Sequence, residues 1–548
     1  MKRRRAYDRG VESGPTPSGP RRHTVRTANE GRRRAWPVVG AGLGGVALII
    51  TAALILGGPL PLGGSAAPRS SAPADQPPSD LAARDTVTPD SATPDSATPD
   101  PGTSSPQQLA DRRARSQRPQ LRVIPPLRDR PARALARTTA ERELRRAAER
   151  AAAARRSAAV GRLLAARGSA LVERDRAAFL ATADTTDRRV RRTQAQLFRR
   201  LAEVPLGDYD YILRTPVTQQ DTADRSARRS APGVVLAPRL WTAQVSIRHR
   251  LARLDGAWLS RDALLHLVRR DGEWRLSGEA PLRDQPVRRD LWQQGRVRAV
   301  RGQHSLVLGL GPRPRLRELT RAVDRAVPAV SKVWGRDWSR RVVVLAPESA
   351  TQAAALLGRH PAEVGRLAAV TVGRLHERAR SRPAVTADRV VLNPRAFGQL
   401  SAVGRRVVLR HEITHVATRA ATGPATPMWL SEGFADYVGY QDTRVPVELA
   451  AQELLEQVRA QGAPSRLPAD EEFAAGEPQA AAYEAGWLAC RVLARLAEER
   501  GLTDVYRAVG KGKSDNGRAL DRALREVVGT TTARFTARWR AELDALAR

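Results

Sequence analysis

A single cysteine, Cys490, stands among the 548 residues of this chain. One thiol excludes an intramolecular disulfide framework and any metal cluster built from cysteines, though it leaves the compartment open. Lysine is almost missing too: it occurs only at positions 2, 332, 511 and 513, so the formal charge of +36 is carried by arginine. A charge of that size ordinarily suggests nucleic acid. Aromatic residues, however, are only 4% of the chain, and the arginines crowd into the N-terminal tail and an Ala/Arg-rich stretch after residue 111. Arginine without interleaved aromatics disfavours nucleic acid as the partner. An anionic envelope surface, such as lipid head groups or wall polymers, suits the charge at least as well.

Charge is absent altogether from Trp36 to Leu62, where Val, Ala, Leu, Ile and Gly dominate. Such a run spans a bilayer as a helix, for which roughly 20 residues are enough. Arg32-Arg33-Arg34 precedes it and Arg69 is the first charge after it, so the positive-inside bias places the N-terminus in the cytoplasm and the rest outside. A cleaved signal peptide ending near Ser65-Ala66-Ala67 is the rival reading; the long charged tail and the length of the run argue against it. The expectation is a single-pass cell-membrane protein with a cytoplasmic tail at 1–35 and a transmembrane helix at 36–62. A linker then follows at 63–127. It is rich in Pro, Ser, Thr and Ala and contains Thr88-Pro89-Asp90-Ser91-Ala92, Thr93-Pro94-Asp95-Ser96-Ala97 and Thr98-Pro99-Asp100. So few apolar side chains cannot offset the entropy of ordering, so the linker is expected to be a disordered stalk.

The remainder predicts a multidomain α+β protein. Residues 128–205 read mainly as helix, Ala, Arg, Leu and Glu being strong helix formers; 128–157 is an Ala/Arg-rich helix ahead of a module at 158–302. Leu163, Leu164, Ala170, Leu171, Phe179 and Leu180 supply an apolar stripe. The period then changes. Trp241, Ala243, Val245, Ile247, His249 and Leu251 alternate with polar residues, which predicts a half-buried strand. A second strand is expected around Ala263–Arg269 and a third from Glu273, with Asp255-Gly256 and Asp271-Gly272 as hairpin turns. Helices followed by an antiparallel meander and an Asp-Gly-x-Trp-x-Leu turn resemble the cystatin-like cone fold of the nuclear transport factor and polyketide-cyclase superfamily. That fold hosts enzymes and binding modules alike, so it assigns no activity. His249 and His266 fall on its strands and read as core or rim residues.

From 303 to 548 a small sheet followed by helices is predicted. Ser305–Leu310, Val342–Leu345 and Val390–Leu392 are apolar strands, and Arg315–Trp334 is a helix. Within it Val407–Ala417 has helical composition and contains His411-Glu412-Ile413-Thr414-His415. Histidines at i and i+4 share one helix face, close enough to hold one metal ion, and neutral imidazole suits Zn²⁺. Glu412 lies about 100° around the helix, placed to face a water at the metal without ligating it. Downstream, Trp429-Leu430-Ser431-Glu432-Gly433-Phe434-Ala435-Asp436-Tyr437 puts Glu432 on a second helix as a third ligand, leaving a fourth position open. Asp436, one turn on, is placed to accept the other ring N–H of a ligating histidine. The bland alternative is a core helix with two satisfied histidines and a helix-start acid; three matching coincidences of spacing weigh against it.

These two segments resemble the gluzincin metallopeptidases, the thermolysin and aminopeptidase class, and within it the peptidase MA-like domains of bacteria. The resemblance implies His411, His415 and Glu432 as zinc ligands and Glu412 as general base. Related enzymes carry a tyrosine downstream of the glutamate ligand, which implies Tyr483, in Ala481-Ala482-Tyr483-Glu484, as donor to the oxyanion; the rival reading is a core tyrosine capping the helix that follows, and Tyr437 and Tyr440 also fall near the site. Two departures matter. Thr418 and Ala421 stand where a metzincin needs Gly and His. The only methionines are Met1 and Met428, so the Gly-x-Met-Glu-Asn segment of the aminopeptidases is missing. The expected function is a membrane-anchored, extracytoplasmic zinc endopeptidase acting on peptides or proteins. The alternative is a non-catalytic envelope-binding protein that retains a zinc site.

Overall fold

The computed structural model describes residues 130–214, 240–282, 288–373, 387–473, 479–513 and 517–548. The expected tail, apolar run and linker lie outside them, and no described helix is long and apolar enough to cross a membrane.

Helix α1 (Arg130–Val172) runs for 43 residues. Its described side chains are exposed on every side from Thr138 to Ala152, so high helix propensity rather than packing accounts for that half. Its second half buries Val160, Leu164, Ala170 and Leu171. No break separates the segment expected at 128–157 from the module that follows. Two shorter helices come next, each started by an aspartate that caps exposed backbone N–H groups. Asp175 accepts from Ala178 at the head of α2 (Arg176–Ala181), and Asp187 accepts from Arg189 and Val190 at the head of α3 (Arg188–Arg200).

The first sheet is an antiparallel meander of β1 (Leu206–Leu213), β2 (Leu240–Leu251), β3 (Leu259–Arg270) and β4 (Glu273–Ala280), paired in that order. Asp271 and Gly272, both at positive φ, form the tight β3–β4 turn as expected. Asp255-Gly256 instead sits in a longer loop, because the Asp255 carboxylate is engaged elsewhere: it accepts from the Leu251 N–H at 2.7 Å and pairs with Arg389. β1 has no counterpart in the sequence reading. A Cβ at Gly168 would lie 2.3 Å from the Tyr209 carbonyl oxygen, so that glycine lets α1 approach β1.

The second sheet is mixed. Its strands are β5 (Arg298–Arg301), β6 (Ser305–Gly309), β7 (Val342–Ala346), β8 (Ala369–Val372) and β9 (Arg389–Leu392), in the order β5-β6-β7-β9-β8. β6, β7 and β9 are parallel; β5 and β8 are antiparallel edges. Successive residues point to opposite faces, and both faces are covered. Leu306, Leu308, Val343 and Val391 join the core of the first sheet. Val307, Val342, Val344, Val390 and Leu392 join the core of the helical half. This explains the unbroken apolar runs: a strand buried on both sides has no polar face. It also means that a cut at 303 would expose part of a shared core, at roughly 1.5–3 kcal/mol per large side chain.

Helix α4 (Arg313–Trp334) links β6 to β7, and α5 (Ala350–Leu357) follows β7. After β9 come α6 (Pro394–Gln399), α7 (Ala402–Thr418), α8 (Met428–Tyr440) and α9 (Gln452–Gln461). The long α10 (Gln479–Gly510) is bent at Ala497 and Glu498, and α11 (Arg518–Val528) and α12 (Thr532–Ala547) complete the helical layer.

Candidate metal centre

Helix α7 starts at Ser401, whose hydroxyl oxygen accepts from the Gly404 N–H at 3.0 Å. Val407, Val408, Leu409, Ile413 and Ala417 are buried, so the helix is packed on several sides rather than along one stripe. Two glycines set the position of α8. A Cβ at Gly439 would meet the Val407 carbonyl oxygen at 3.1 Å, and one at Gly433 would come within 2.1 Å of the Gly486 carbonyl oxygen. Helix α8 therefore lies close against α7 on one side and α10 on the other, and it presents Glu432 and Asp436, one turn apart, to the histidines of α7. The glycine that follows Glu432 in the sequence is a packing residue.

His411, His415 and Glu432 form a group whose ligand atoms converge. The two histidine Nε2 atoms are 3.0 Å apart, and Glu432 Oε2 lies 3.4 Å from each. A tetrahedral zinc with bonds of about 2.0–2.1 Å holds its ligand atoms about 3.3 Å apart, so this triangle has the size such an ion requires. His411 Nδ1 is 2.7 Å from Asp436 Oδ1. Donation from Nδ1–H to that carboxylate leaves the Nε2 lone pair for a metal. Both oxygens of Glu432 are buried with no hydrogen-bond donor among the described residues. A buried carboxylate in that condition is costly unless a cation meets it.

The electrostatics agree. Burial works against charge on His411, but the Asp436 and Glu432 carboxylates outweigh it and raise its pKa to about 10. Burial would likewise lift Glu432, yet the two imidazoles hold it down at about 2. The cluster is arranged around a positive charge, which a proton on His411 supplies when no metal does. Glu412 differs: burial pushes its carboxyl pKa up, and the nearby histidines offset this only in part.

Glu412 Oε2 accepts from the Thr371 hydroxyl at 2.5 Å, and the same hydroxyl lies 3.0 Å from the Glu412 carbonyl oxygen. Glu412 Oε1 is buried without a donor among the described residues. Thr371 lies on the edge strand β8, and neither that strand nor the threonine was legible in the sequence. Tyr483 is buried in α10 with its ring 5.1 Å from that of Phe473. The Tyr440 ring lies tilted against that of Trp487, with centroids 4.7 Å apart. Tyr506, which no motif singled out, hydrogen-bonds Thr422 at 2.8 Å and reaches Ser431, the neighbour of Glu432. Burial raises its pKa; hydrogen bonds with Ser431, Thr418 and Thr422 oppose this, and the Glu432 charge adds to the rise. His249 and His266 lie on the first sheet, His249 against Tyr209 and Trp292, His266 beside the Thr242 hydroxyl.

No protein-family model matches the sequence, and no curated protein matches it either. Among solved structures it is similar to M1 zinc metallopeptidase mutants from Deinococcus radiodurans. One, bound to a Tyr-Ser-Ala substrate, is 15% identical over 50% of this chain and 58% of that one, with a TM-score of 0.27. Another is 14% identical over 55% and 61% of the two chains, also with a TM-score of 0.27. The chain thus spans about three fifths of the length of these neighbours. A likeness of that size carries no functional weight, and the site has to be read from its own geometry.

Proposed function

We propose that this protein is a zinc-dependent peptidase of the gluzincin type, anchored in the cell membrane by its N-terminal apolar run and acting outside the cytoplasm. The observation that supports this most is the triangle of two imidazole nitrogens and one undonated carboxylate oxygen, with Glu412 beside it. His411, His415 and Glu432 would hold a zinc ion, which when bound would supply the positive charge to acidify a water molecule and polarise a peptide carbonyl. Asp436 fixes the ring of His411 in the ligating tautomer. Thr371 holds one oxygen of Glu412, leaving the other to take the proton of the attacking water and pass it to the leaving amine. The raised pKa of Glu412 suits a base that must also give its proton back. Tyr483 is the proposed donor to the tetrahedral oxyanion. Without the aminopeptidase segment, cleavage within a chain is preferred to cleavage from its end.

A second reading draws on burial. His411, Glu412 and Glu432 are at most 1% exposed and His415 is 6% exposed, which also suits a zinc site retained without catalysis. Against it stands Glu412, which a purely structural site would not need. The deciding experiment compares the full chain with its Glu412→Gln variant on a diverse peptide mixture read by mass spectrometry. General-base removal is expected to retain the metal and lower cleavage by about 10²–10⁴-fold. Equal cleavage by both proteins, or none by a zinc-loaded wild type, would sink the peptidase reading.

A further inference from the structure

The face of α7 opposite its histidines lines a groove of 720 Å³ between α4 and the α6–α7 corner. Its floor is apolar: Leu316 and Leu319 come from α4, Leu392 from the end of β9, Phe397 from α6 and Leu409 from α7. Its rim is basic. Arg315 and Arg325 stand on α4 and Arg405, Arg406 and Arg410 on α7, against only Glu318 and Glu348. Some arginines elsewhere are matched to acids, as Arg313 is to Glu203 and Arg261 to Glu279 and Asp290. None of the five rim arginines is ion-paired with a described carboxylate, and Arg410 Nε is buried without an acceptor among the described residues.

A regular run of the opposite charge precedes the described residues. Asp75, Asp80, Asp85, Asp90, Asp95 and Asp100 recur at every fifth position, with Arg84 the only basic residue among them, in a chain of net charge +36. Prolines 73, 77, 78, 89, 94 and 99 lie among them, with none between Asp80 and Asp85. A proline-rich stretch gives up little entropy on docking in an extended form. Description of the chain begins at Arg130, and the intervening residues reach up to about 100 Å when extended. A tether of this kind raises the local concentration of the acidic repeat to the order of millimolar.

We propose that the acidic repeat spanning 75–100 docks in this groove of its own chain, with aspartates on the rim arginines and prolines, Leu81 and Val87 on the apolar floor. The test places a photo-crosslinking benzoylphenylalanine at Gly398 in the full chain. That position is exposed and lines the groove, and a Cβ there meets nothing within 4 Å, so folding should be spared. Cross-linked peptides are then identified by mass spectrometry. The expected result is a cross-link to residues 71–100 at monomer mass, reduced about tenfold when the six aspartates are changed to asparagine and reduced again by salt. Cross-links at dimer mass, to lipid acyl chains or to another segment would overturn the proposal. So would a yield indifferent to the aspartates, or no cross-link at all from a folded chain.

Discussion

Two sets of buried carboxylates in this molecule are treated in opposite ways. Asp255, in the β2–β3 loop, takes two hydrogen bonds from the Arg389 guanidinium at 2.8 and 2.5 Å and a third from the Leu251 N–H. Asp290 takes Arg261 in the same manner, alongside the more exposed Glu279. Every charge there is answered by a protein donor, and such clusters hold two parts of a fold in register. Around α7 and α8, among the described residues, Glu432 has two imidazoles at 3.4 Å but no hydrogen-bond partner, and one oxygen of Glu412 has none either. A satisfied cluster is finished when the chain folds; an unsatisfied one is waiting for a cation or a proton. That difference, rather than burial or charge alone, separates the candidate centre from the structural ion pairs.

Changes at the two clusters should therefore fail differently. Glu432→Ala is expected to abolish bound zinc and all hydrolysis while leaving a folded protein, by metal analysis beside circular dichroism; full zinc content in that variant would remove Glu432 from the ligand set. Arg389→Ala should do the reverse, keeping the metal ligands intact but losing about 3–5 kcal/mol of stability, because Asp255 is left buried and unpaired. Denaturant unfolding measures this, and a loss below about 1 kcal/mol would class the pair with surface salt bridges.

His249 gives a smaller, pH-dependent contrast. Burial lowers its pKa to about 4, with Arg389 and Arg261 helping and Asp290 and Asp255 opposing. Its unfolded value is about 6.5, so the unfolded chain binds more protons between the two. Stability from this residue is complete above about pH 6.5 and is lost as the pH falls towards 4, by up to about 3 kcal/mol. A His249→Phe variant should flatten that slope, and an unchanged slope would contradict the assignment. A comparable cost is expected at Gly433→Ala, about 1–3 kcal/mol from crowding the α8–α10 crossing, with weaker zinc retention because Glu432 moves with its helix. Competition with a chelator would register the second effect, and unaltered retention would separate the crossing from the site.

The first sheet shows how far local pattern reaches. β2, β3 and β4 were legible because one face of each is buried and the alternation follows from it. β1 was not: Gly207, Asp208 and Asp210 interrupt its apolar residues, and only pairing with β2 makes it a strand. β8 was hidden for a different reason, since four residues from Ala369 to Val372 carry no usable period, and the strand exists through its ladder with β9. Thr371 went unseen with it. Asp255 was read as a turn residue because its partner lies 134 positions away.

What the sequence determined by itself is whatever a single helix decides. Four-residue spacing puts His411 above His415, and Glu432 above Asp436, wherever those helices end up, because the backbone hydrogen bonds that set the period are local. Tertiary structure alone decided that the two helices meet, through glycines that let α8 approach α7 and α10 within backbone contact. It also decided that a threonine from an edge strand holds the carboxylate of Glu412, and that the opposite face of α7 is left with arginines no described carboxylate answers. Those relations join residues distant along the chain, and only close packing brings their atoms within the few ångströms over which hydrogen bonds and metal coordination act.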